Sequence, residues 1–217
     1  MNYDICLFDL DGTLTDPKEG ITKSVKNALD HFNIPVQNLD ELTKFIGPPL
    51  RVSFPKFYGL SKDDTEIAVI KYRERFSTVG LFENNIYNGI KDMLATLKKH
   101  NKIIGLATSK PTVFAKKILE HFDIAEYFTI VVGSEFDGTR DNKCDVITYA
   151  LEQLDPKREK KTVMIGDREH DIIGAKQTGT HSIGVTYGYG NRKELETAGA
   201  KKIVDTVKEL QKLLLNS

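Results

Sequence analysis

Two aspartates, Asp9 and Asp11, directly follow the first apolar segment of the chain, residues 5–8. Side chains alternate along an extended segment, so both carboxylates can point into one pocket. Like charges at this spacing repel each other, and a hard divalent cation that takes oxygen ligands, such as Mg²⁺, would compensate them. Gly12 then allows a sharp turn that brings backbone N–H groups near an anion. The pattern predicts a phosphate-handling site with one attacking carboxylate and one that moves a proton; a strand followed by an ordinary Asp-Gly turn is the alternative.

Three further groups of polar residues follow later apolar segments. The hydroxyls of Thr108 and Ser109 come after a predicted strand, where they could donate to phosphate oxygens without adding charge. Lys143 opens a predicted helix and could neutralise a phosphate as a point charge. Asp167 ends another apolar strand, and Asp171 follows four residues later. Each pattern alone is common in helix caps or solvated surface. Because open α/β sheets bind ligands beyond the carboxyl ends of their strands, the combination predicts one shared site.

Apolar strands and amphipathic helices alternate through the last two thirds of the chain. Together with the first strand, residues 4–8, this alternation predicts a parallel sheet covered by helices on both faces. Residues 16–80 interrupt it, because they carry helical patterns and no convincing strand. The predicted fold is α/β, with a Rossmann-like parallel-sheet core formed by residues 1–15 and 81–217. The insert, residues 16–80, is predicted to be an all-helical cap domain.

Capping residues and a stiff loop set the predicted helix limits inside this insert. Asp16 is predicted to cap the first helix, with Pro17 at its first position. Ser61 is predicted to cap the last one, with an aspartate three residues later. A helical pattern also runs over residues 39–46. The Gly-Pro-Pro sequence at 47–49 cannot continue that helix.

The composition excludes several classes of function. Lys plus Arg and Asp plus Glu each number 31 in 217 residues, so the net charge is zero and binding to a nucleic-acid polymer through bulk electrostatics is not expected. No apolar run approaches the roughly 20 residues that span a bilayer, and early aspartates interrupt any signal-peptide pattern. The two cysteines, Cys6 and Cys144, cannot form a disulfide framework. We therefore expect a cytoplasmic protein without a membrane partner; its oligomeric state is not indicated.

These motifs resemble those of the haloacid dehalogenase superfamily of phosphotransferases, and the resemblance covers most of the chain. Asp9-Leu-Asp11-Gly-Thr13 is similar to the nucleophile motif of that family. Thr108 resembles its phosphate-binding hydroxyl and Lys143 its third-motif lysine. Gly166-Asp167-x-x-x-Asp171 resembles its metal-binding acidic motif.

The resemblance implies a Mg²⁺-dependent phosphatase that acts on a small phosphorylated metabolite. Asp9 is then expected to attack phosphorus and form an aspartyl-phosphate, while Asp11 protonates the leaving alcohol and later activates water. Mg²⁺ is expected to be held by Asp9, the backbone carbonyl of Asp11 and Asp167, with Asp171 close by or one shell further out. The predicted phosphate-binding residues are Gly12, Thr13, Thr108, Ser109 and Lys143.

Several rival functions share this scaffold. A dehalogenase or a phosphonate-cleaving relative would lack the second carboxylate, so Asp11 argues against both. A sugar phosphomutase keeps Asp9 and Asp11 and stays open. A non-enzymatic phosphate-binding protein would be expected to have lost one of the motif residues, and all of them are present.

The insert resembles the helical cap of the phosphoglycolate phosphatase-like branch. Residues 133–143 and the Gly-Asp-Arg sequence at 166–168 are similar to a 5′-nucleotidase-like subgroup. Nucleoside 5′-monophosphates are therefore the expected substrates, and phosphoglycolate is the runner-up. In the insert, Phe45 is a candidate to stack on a base and Arg51 a candidate to hold a ribose or second anion. Ordinary cap core and helix surface are the alternatives for these two.

Two features near the predicted site are interpreted without a catalytic role. Gly188-Tyr-Gly190 follows a strand but lacks the third glycine of a dinucleotide-binding loop, so it is interpreted as a loop at the edge of the site. His170 lies near Asp167 in sequence and is interpreted as an ordinary loop histidine.

Overall fold

The computed structural model describes residues 3–216, and its eight strands fall into two sheets. In chain order the strands are β1 (Ile5–Phe8), β2 (Thr15–Asp16), β3 (Asn85–Ile86), β4 (Ile103–Pro111), β5 (Ile130–Ser134), β6 (Thr162–Gly166), β7 (His181–Val185) and β8 (Lys202–Val204). Six of them form a parallel sheet in the order β5-β4-β1-β6-β7-β8, and β2 and β3 form a short pair. The predicted α/β fold with a parallel-sheet core is therefore confirmed.

Helices alternate with these strands along the chain. The α-helices are α1 (Lys18–His31), α2 (Leu50–Tyr58), α3 (Lys62–Arg75), α4 (Ile90–Lys99), α5 (Thr112–His121), α6 (Lys143–Leu154), α7 (Glu169–Gln177), α8 (Arg192–Ala198) and α9 (Val207–Leu215). Two 3₁₀ segments, Leu39–Phe45 and Ala125–Tyr127, and a π segment, Phe76–Gly80, complete the helical elements of residues 3–216. Among the same residues, no helix combines the length and apolar character that crossing a bilayer requires.

The chain divides into two compact units. The first combines the chain up to Asp16 with the chain from Ile86 onward, and it contains the six-stranded sheet. The second, Pro17–Asn85, contains α1, α2 and α3 together with the 3₁₀ segment Leu39–Phe45 and the π segment Phe76–Gly80. Each unit contains its own buried apolar residues.

β1 lies in the interior of the six-stranded sheet, between β4 and β6. All four of its residues are apolar and buried, as expected for a central strand of a parallel sheet covered on both faces. Ile5 and Leu7 belong to one apolar cluster that includes Val146 and Ile147 of α6 and Ala175 of α7. Full burial of a single Ile or Leu side chain contributes about 1.5–3 kcal/mol. The cluster therefore anchors β1 and, with it, the residues that follow its carboxyl end.

Several predicted limits differ from the structure in the second unit and at β4. Asp16 was predicted to cap α1, and in the structure Pro17 takes that position; the Asp16 carboxylate accepts a hydrogen bond from the Tyr189 hydroxyl. Residues 39–46 were predicted as a helical segment, and the structure forms a 3₁₀ helix that ends at Phe45, before Gly47. β4 continues past Ala107 to Pro111 through an irregularity in its pairing with β5. The predicted cap of α3 is confirmed, since Ser61 Oγ accepts from the N–H of Asp64 at 3.1 Å.

Candidate active site

The carboxyl end of β1 lies between those of β4 and β6. Phe8 is in register with Leu106 on one side and Ile165 on the other. The backbone N–H of Asp9 continues this pairing and donates to Ile165 O at 2.9 Å. Parallel strands end at the same edge of a sheet, so the polar residues that follow β1, β4 and β6 meet there.

Three carboxylates converge at this edge. Asp9, Asp167 and Asp171 each offer an oxygen, and these atoms lie within 4.8 Å of one another. Their side chains are almost fully withdrawn from solvent, with exposed fractions of 4%, 0% and 1%. Buried carboxylates at this spacing repel each other strongly, so the arrangement needs cations to compensate it.

Lys143 supplies one of these positive charges from the start of α6. Its ammonium lies 2.8 Å from Asp9 Oδ1 and 2.8 Å from Asp171 Oδ1. It also donates to the Ala107 carbonyl at 3.0 Å. Its contacts with Asp9 Oδ1 and the Ala107 carbonyl are hydrogen bonds, whereas its contact with Asp171 Oδ1 is an ion pair without hydrogen-bond geometry. Lys143 therefore links the nucleophile candidate Asp9 to Asp171, and its contact with a phosphate stays a prediction.

Lys110, near the end of β4, supplies the second positive charge. Its ammonium forms an ion pair with Asp11 Oδ2 at 2.8 Å, and both side chains are buried. The other oxygen of Asp11, Oδ1, has no hydrogen-bond partner within residues 3–216. Lys110 was not among the site residues expected from the sequence. The signal that could have found it is its position two residues after Thr108, on the same side of an extended strand.

Burial is the largest influence on the pKa values of the buried carboxylates and of Lys143. It raises the pKa of Asp167 well above the ordinary range, and the neighbouring Asp171 and Asp9 carboxylates raise it further. It also raises the pKa of Asp11, against the opposing effect of Lys110. For Asp171, burial outweighs the attraction of Lys143 and raises the pKa to about 6. Burial disfavours the charged form of Lys143, but Asp171 and Asp9 outweigh it and raise its pKa.

A divalent cation fits the charges and the donor atoms of this cluster. The site contains four buried carboxylates and two buried lysine ammonium groups, so its formal charge is negative by two units and a cation of charge +2 would balance it. The carboxylates are those of Asp9, Asp11, Asp167 and Asp171, and the lysines are Lys110 and Lys143. The donors are carboxylate oxygens, which Mg²⁺ and Ca²⁺ prefer. Asp167 Oδ2 accepts from the Tyr189 backbone N–H at 2.7 Å, whereas Asp167 Oδ1 is buried without a hydrogen-bond partner among the described residues. A buried, unpartnered carboxylate oxygen is costly unless a cation binds it.

Two glycines make room for this packing. A Cβ on Gly12, where φ is +83°, would lie 2.2 Å from Asp167 Oδ2. A Cβ on Gly166 would lie 2.1 Å from the Asp171 carboxylate. The glycines in both motifs are therefore required because a carboxylate occupies the space that any other side chain would fill.

The predicted phosphate-binding residues lie at the same edge of the sheet. The turn after β1 is closed by hydrogen bonds from Gly12 N to Thr15 O and from Thr13 N to Leu10 O. The Thr13 hydroxyl is buried and has no partner within the described part of the chain. Thr108 is buried, and its hydroxyl accepts from Lys110 N at 3.3 Å. Ser109 is half-buried, and its carbonyl accepts from the Ser134 hydroxyl.

The two substrate candidates of the insert lie in the second unit. Phe45 is 2% exposed, and its ring packs against Phe54, Phe57 and Tyr58 at centroid distances of 5.0, 5.4 and 6.0 Å. The structure thus gives Phe45 a packing role and does not bring its ring to a surface that a base could reach. Arg51 forms a two-point ion pair with Glu66, at 2.6 and 3.0 Å.

Comparison with known proteins identifies the family. Residues 6–185 match the model of the haloacid dehalogenase-like hydrolases. A 5′-nucleotidase of Pseudomonas aeruginosa is 45% identical over 195 residues, which cover 90% of this chain and 88% of that protein. The tyrosine-protein kinase PtkA of Mycobacterium tuberculosis is 37% identical over 212 residues, 97% of this chain and 72% of PtkA.

The crystal structure of a predicted phosphatase from Clostridium acetobutylicum is also similar. It is 50% identical, and the alignment covers 100% of both chains with a TM-score of 0.97. The matched family model begins within β1 and ends with β7, so it spans every motif residue of the site described above. This chain therefore belongs to the haloacid dehalogenase-like hydrolase family, and it is a phosphatase of that family.

Proposed function

We propose that this chain is a Mg²⁺-dependent phosphatase that hydrolyses small phosphate monoesters through an aspartyl-phosphate on Asp9. The observation that carries the proposal is the buried cluster of Asp9, Asp167 and Asp171, with one oxygen of Asp167 left without a partner. Asp11, on the same turn, adds the second carboxylate that acid–base chemistry needs.

The proposed reaction has two steps. In the first, an oxygen of Asp9 forms a bond to phosphorus while the bond from phosphorus to the substrate oxygen breaks; the protonated Asp11 gives its proton to that leaving oxygen. In the second, the Asp11 carboxylate takes a proton from water, whose oxygen attacks phosphorus and releases Asp9 with inorganic phosphate. The raised pKa of Asp11 supports the first step, because it keeps the acid form available.

The residues that would hold Mg²⁺ are Asp9, the backbone carbonyl of Asp11 and Asp167. When bound, the cation screens the negative charges of the carboxylate and of the phosphoryl group, so that they can approach each other. Asp171 Oδ2 accepts a hydrogen bond from the Arg168 N–H at 3.1 Å, and Asp171 Oδ1 forms an ion pair with the Lys143 ammonium at 2.8 Å without hydrogen-bond geometry. We propose that Asp171 lies next to the Mg²⁺ ligands and orients Lys143 through this ion pair.

The acid–base role of Asp11 predicts a dependence on the leaving group. In Asp11→Asn, turnover of an alkyl phosphate should fall on the order of 10²–10⁴-fold, since an alkoxide leaves poorly without protonation. An aryl phosphate should lose much less in its first step, because a phenolate leaves more easily. The measurement is the phosphorylation rate of the variant by rapid quench with both substrates. Equal losses on the two substrates would exclude Asp11 as the leaving-group acid.

The buried Lys110–Asp11 pair predicts a stability effect that depends on pH. Lys110→Met leaves Asp11 buried without its cation, and breaking a buried pair costs about 3–5 kcal/mol. Loss of Lys110 raises the folded-state pKa of Asp11 further, so the stability of the variant should fall as pH rises above the unfolded value of about 3.9. Denaturant unfolding in metal-free buffer at pH 5 and 8 measures this.

A double-mutant cycle supplies the control for Lys110. In the Asp11→Asn background the carboxylate charge is absent, so Lys110→Met should cost much less and lose its pH dependence. Lys116→Met, at an exposed position of α5, is the matched lysine control and should change stability little. An equal cost of Lys110→Met in both backgrounds would mean that the pair does not set the protonation of Asp11.

For the substrate, we propose nucleoside 5′-monophosphates. The support is the 45% identity to a protein named 5′-nucleotidase, together with the motif resemblance at residues 133–143 and 166–168. The test is phosphate release with Mg²⁺ across nucleoside monophosphates, phosphoglycolate, sugar phosphates and pyrophosphate. If phosphoglycolate exceeds every nucleotide by orders of magnitude, the assignment moves to phosphoglycolate phosphatase. A bisphosphate requirement for turnover of a sugar phosphate would indicate a phosphomutase.

Arg51 remains the proposed contact for a ribose or second anion, and its partner Glu66 provides a matched control. Arg51→Ala should raise KM for a nucleotide more than it lowers kcat, because uniform binding affects KM alone. Glu66→Ala removes the same surface ion pair but keeps the guanidinium, so KM should stay unchanged or fall. If both variants raise KM equally, the Arg51–Glu66 ion pair affects KM only by maintaining the local structure, and Arg51 does not contact the substrate.

A further inference from the structure

A loop between β7 and α8 packs directly against Asp167, the carboxylate that we propose as a metal ligand. We call residues Tyr187–Gly190 the tyrosine loop. A Cβ on Gly188 would lie 2.2 Å from Gly12 O and 2.5 Å from Asp167 Oδ2. A Cβ on Gly190 would lie 1.8 Å from Asp167 O. Real Cβ atoms do not approach other atoms this closely, so both glycines are required for the loop to lie where it does.

Hydrogen bonds attach the same loop to both halves of the site. The Tyr189 backbone N–H donates to Asp167 Oδ2 at 2.7 Å. The Tyr187 hydroxyl donates to Thr13 O at 3.0 Å, on the turn that follows β1. The Tyr189 hydroxyl donates to the Asp16 carboxylate, at the end of that turn. The Tyr187 ring is supported in turn by an edge-on contact with Tyr87 at 5.2 Å.

The pattern of contacts at Asp167 carries the inference. The loop occupies Oδ2 and leaves Oδ1 buried without a partner, and Asp167 is a member of the cluster with Asp9 and Asp171. A carboxylate with one oxygen held by a hydrogen bond cannot rotate freely. The orientation of its second oxygen is therefore fixed as well, and that oxygen can bind a cation without a change of side-chain conformation. Groups that orient a metal ligand in this way commonly change metal affinity by about 10–100-fold when they are removed.

We propose that the tyrosine loop is a positioning element for divalent-cation binding: it fixes the orientation of Asp167 and the distance between Asp167 and the turn that carries Asp9 and Asp11. The proposal rests on the proposed function, since it takes Asp167 as a metal ligand. None of the loop side chains contacts the cation or substrate in this scheme. Loop residues should therefore affect metal affinity and leave the chemistry at saturating metal intact.

The test measures Mg²⁺ affinity without substrate, by titration calorimetry and by tyrosine absorbance. The chain has eight tyrosines and no tryptophan, so the tyrosine signal is not masked. Gly188→Ala should weaken Mg²⁺ binding by about 10-fold or more. At saturating Mg²⁺ its KM should match that of the wild type, and its activity should largely recover. Unchanged Mg²⁺ affinity in a folded Gly188→Ala variant would overturn the proposal.

A more conservative variant decides the matter if Gly188→Ala does not fold. Tyr187→Phe/Tyr189→Phe keeps both rings and the loop backbone but removes both anchoring hydroxyl groups. We expect a several-fold loss of Mg²⁺ affinity, while Tyr149→Phe on the exposed part of α6 leaves affinity unchanged. Affinity equal to wild type in the double variant would overturn the proposal. If wild type itself bound no divalent cation, the proposed function would fail at its metal, an outcome distinct from a loop that has no effect.

Discussion

Asp9→Asn should reduce turnover by a factor on the order of 10⁴ or more while leaving the fold intact. The amide keeps the size of the carboxylate, and its remaining oxygen can still accept from Lys143, which lies 2.8 Å from Asp9 Oδ1 in the wild type. It lacks the negative charge and nucleophilicity needed to attack phosphorus. The measurement is phosphate release with Mg²⁺, together with rapid acid quench after a labelled substrate to detect an acid-stable phosphoenzyme in wild type and none in the variant.

Asp4→Asn is the matched control for Asp9→Asn. Asp4 directly precedes β1 at the opposite edge of the sheet, where its carboxylate accepts from the Lys161 N–H at 2.9 Å. This substitution makes the same chemical change within a few residues of Asp9, so it should leave turnover near wild type. A labelled phosphoenzyme in Asp9→Asn, or residual turnover within about tenfold of wild type, would mean that another residue attacks phosphorus.

The sequence predicted the convergence of the carboxylates because that convergence follows from local patterns. Each of Asp9 and Asp167 directly follows an apolar strand, and parallel strands bring their carboxyl ends to one edge. The register Phe8↔Ile165 then places the two residues close together without any further information. Short-range signals of this kind, such as the Ser61 cap of α3, are reliable because their partners lie within a few residues.

Other features of the site could not be predicted, because they depend on contacts between residues far apart in the chain. The Lys110–Asp11 pair requires β4 to extend past Ala107, which the hydroxyls after the apolar stretch did not indicate. Asp16 fits the pattern of a helix cap, but its hydrogen bond comes from Tyr189, 173 positions away. Lys143 fits the pattern of a phosphate-binding lysine, and the sequence does not indicate that its ammonium also lies beside Asp9 Oδ1, Asp171 Oδ1 and the Ala107 carbonyl.

Removal of the Asp167 charge should have opposite effects on metal binding and on the stability of the metal-free protein. Asp167→Asn loses a proposed Mg²⁺ ligand, so the Mg²⁺ concentration for half-maximal activity should rise by about 10²-fold or more, with partial recovery of activity at high metal. The same change removes one buried charge from a cluster with four carboxylates and two lysines. Without metal, the variant should therefore be more stable than wild type by about 1 kcal/mol or more, on the order of 2–4 °C in Tm.

The raised pKa values give this prediction a pH dependence with a definite sign. Burial raises the folded-state pKa of Asp167 well above the ordinary range and that of Asp171 to about 6. Between the unfolded value of about 3.9 and these folded values, the folded state binds more protons than the unfolded state, so stability falls as pH rises. Metal-free wild type should therefore lose stability from about pH 5 to pH 8, and Asp167→Asn should lose less. Saturating Mg²⁺ should flatten the wild-type profile, because the cation replaces the protons.

Thermal or denaturant unfolding across that pH range, with chelator and with Mg²⁺, measures both effects. Asp30→Asn, at an exposed position of α1, is the control and should follow the wild-type profile in both conditions. A structural aspartate outside the metal site would behave differently from Asp167: its loss would lower stability with chelator and with Mg²⁺ alike. If Asp167→Asn is destabilised in chelator and its Mg²⁺ titration superimposes on that of wild type, Asp167 is not a metal ligand. The burial of Asp167 Oδ1 without a hydrogen-bond partner would then lower the stability of the folded state, with no cation to compensate it.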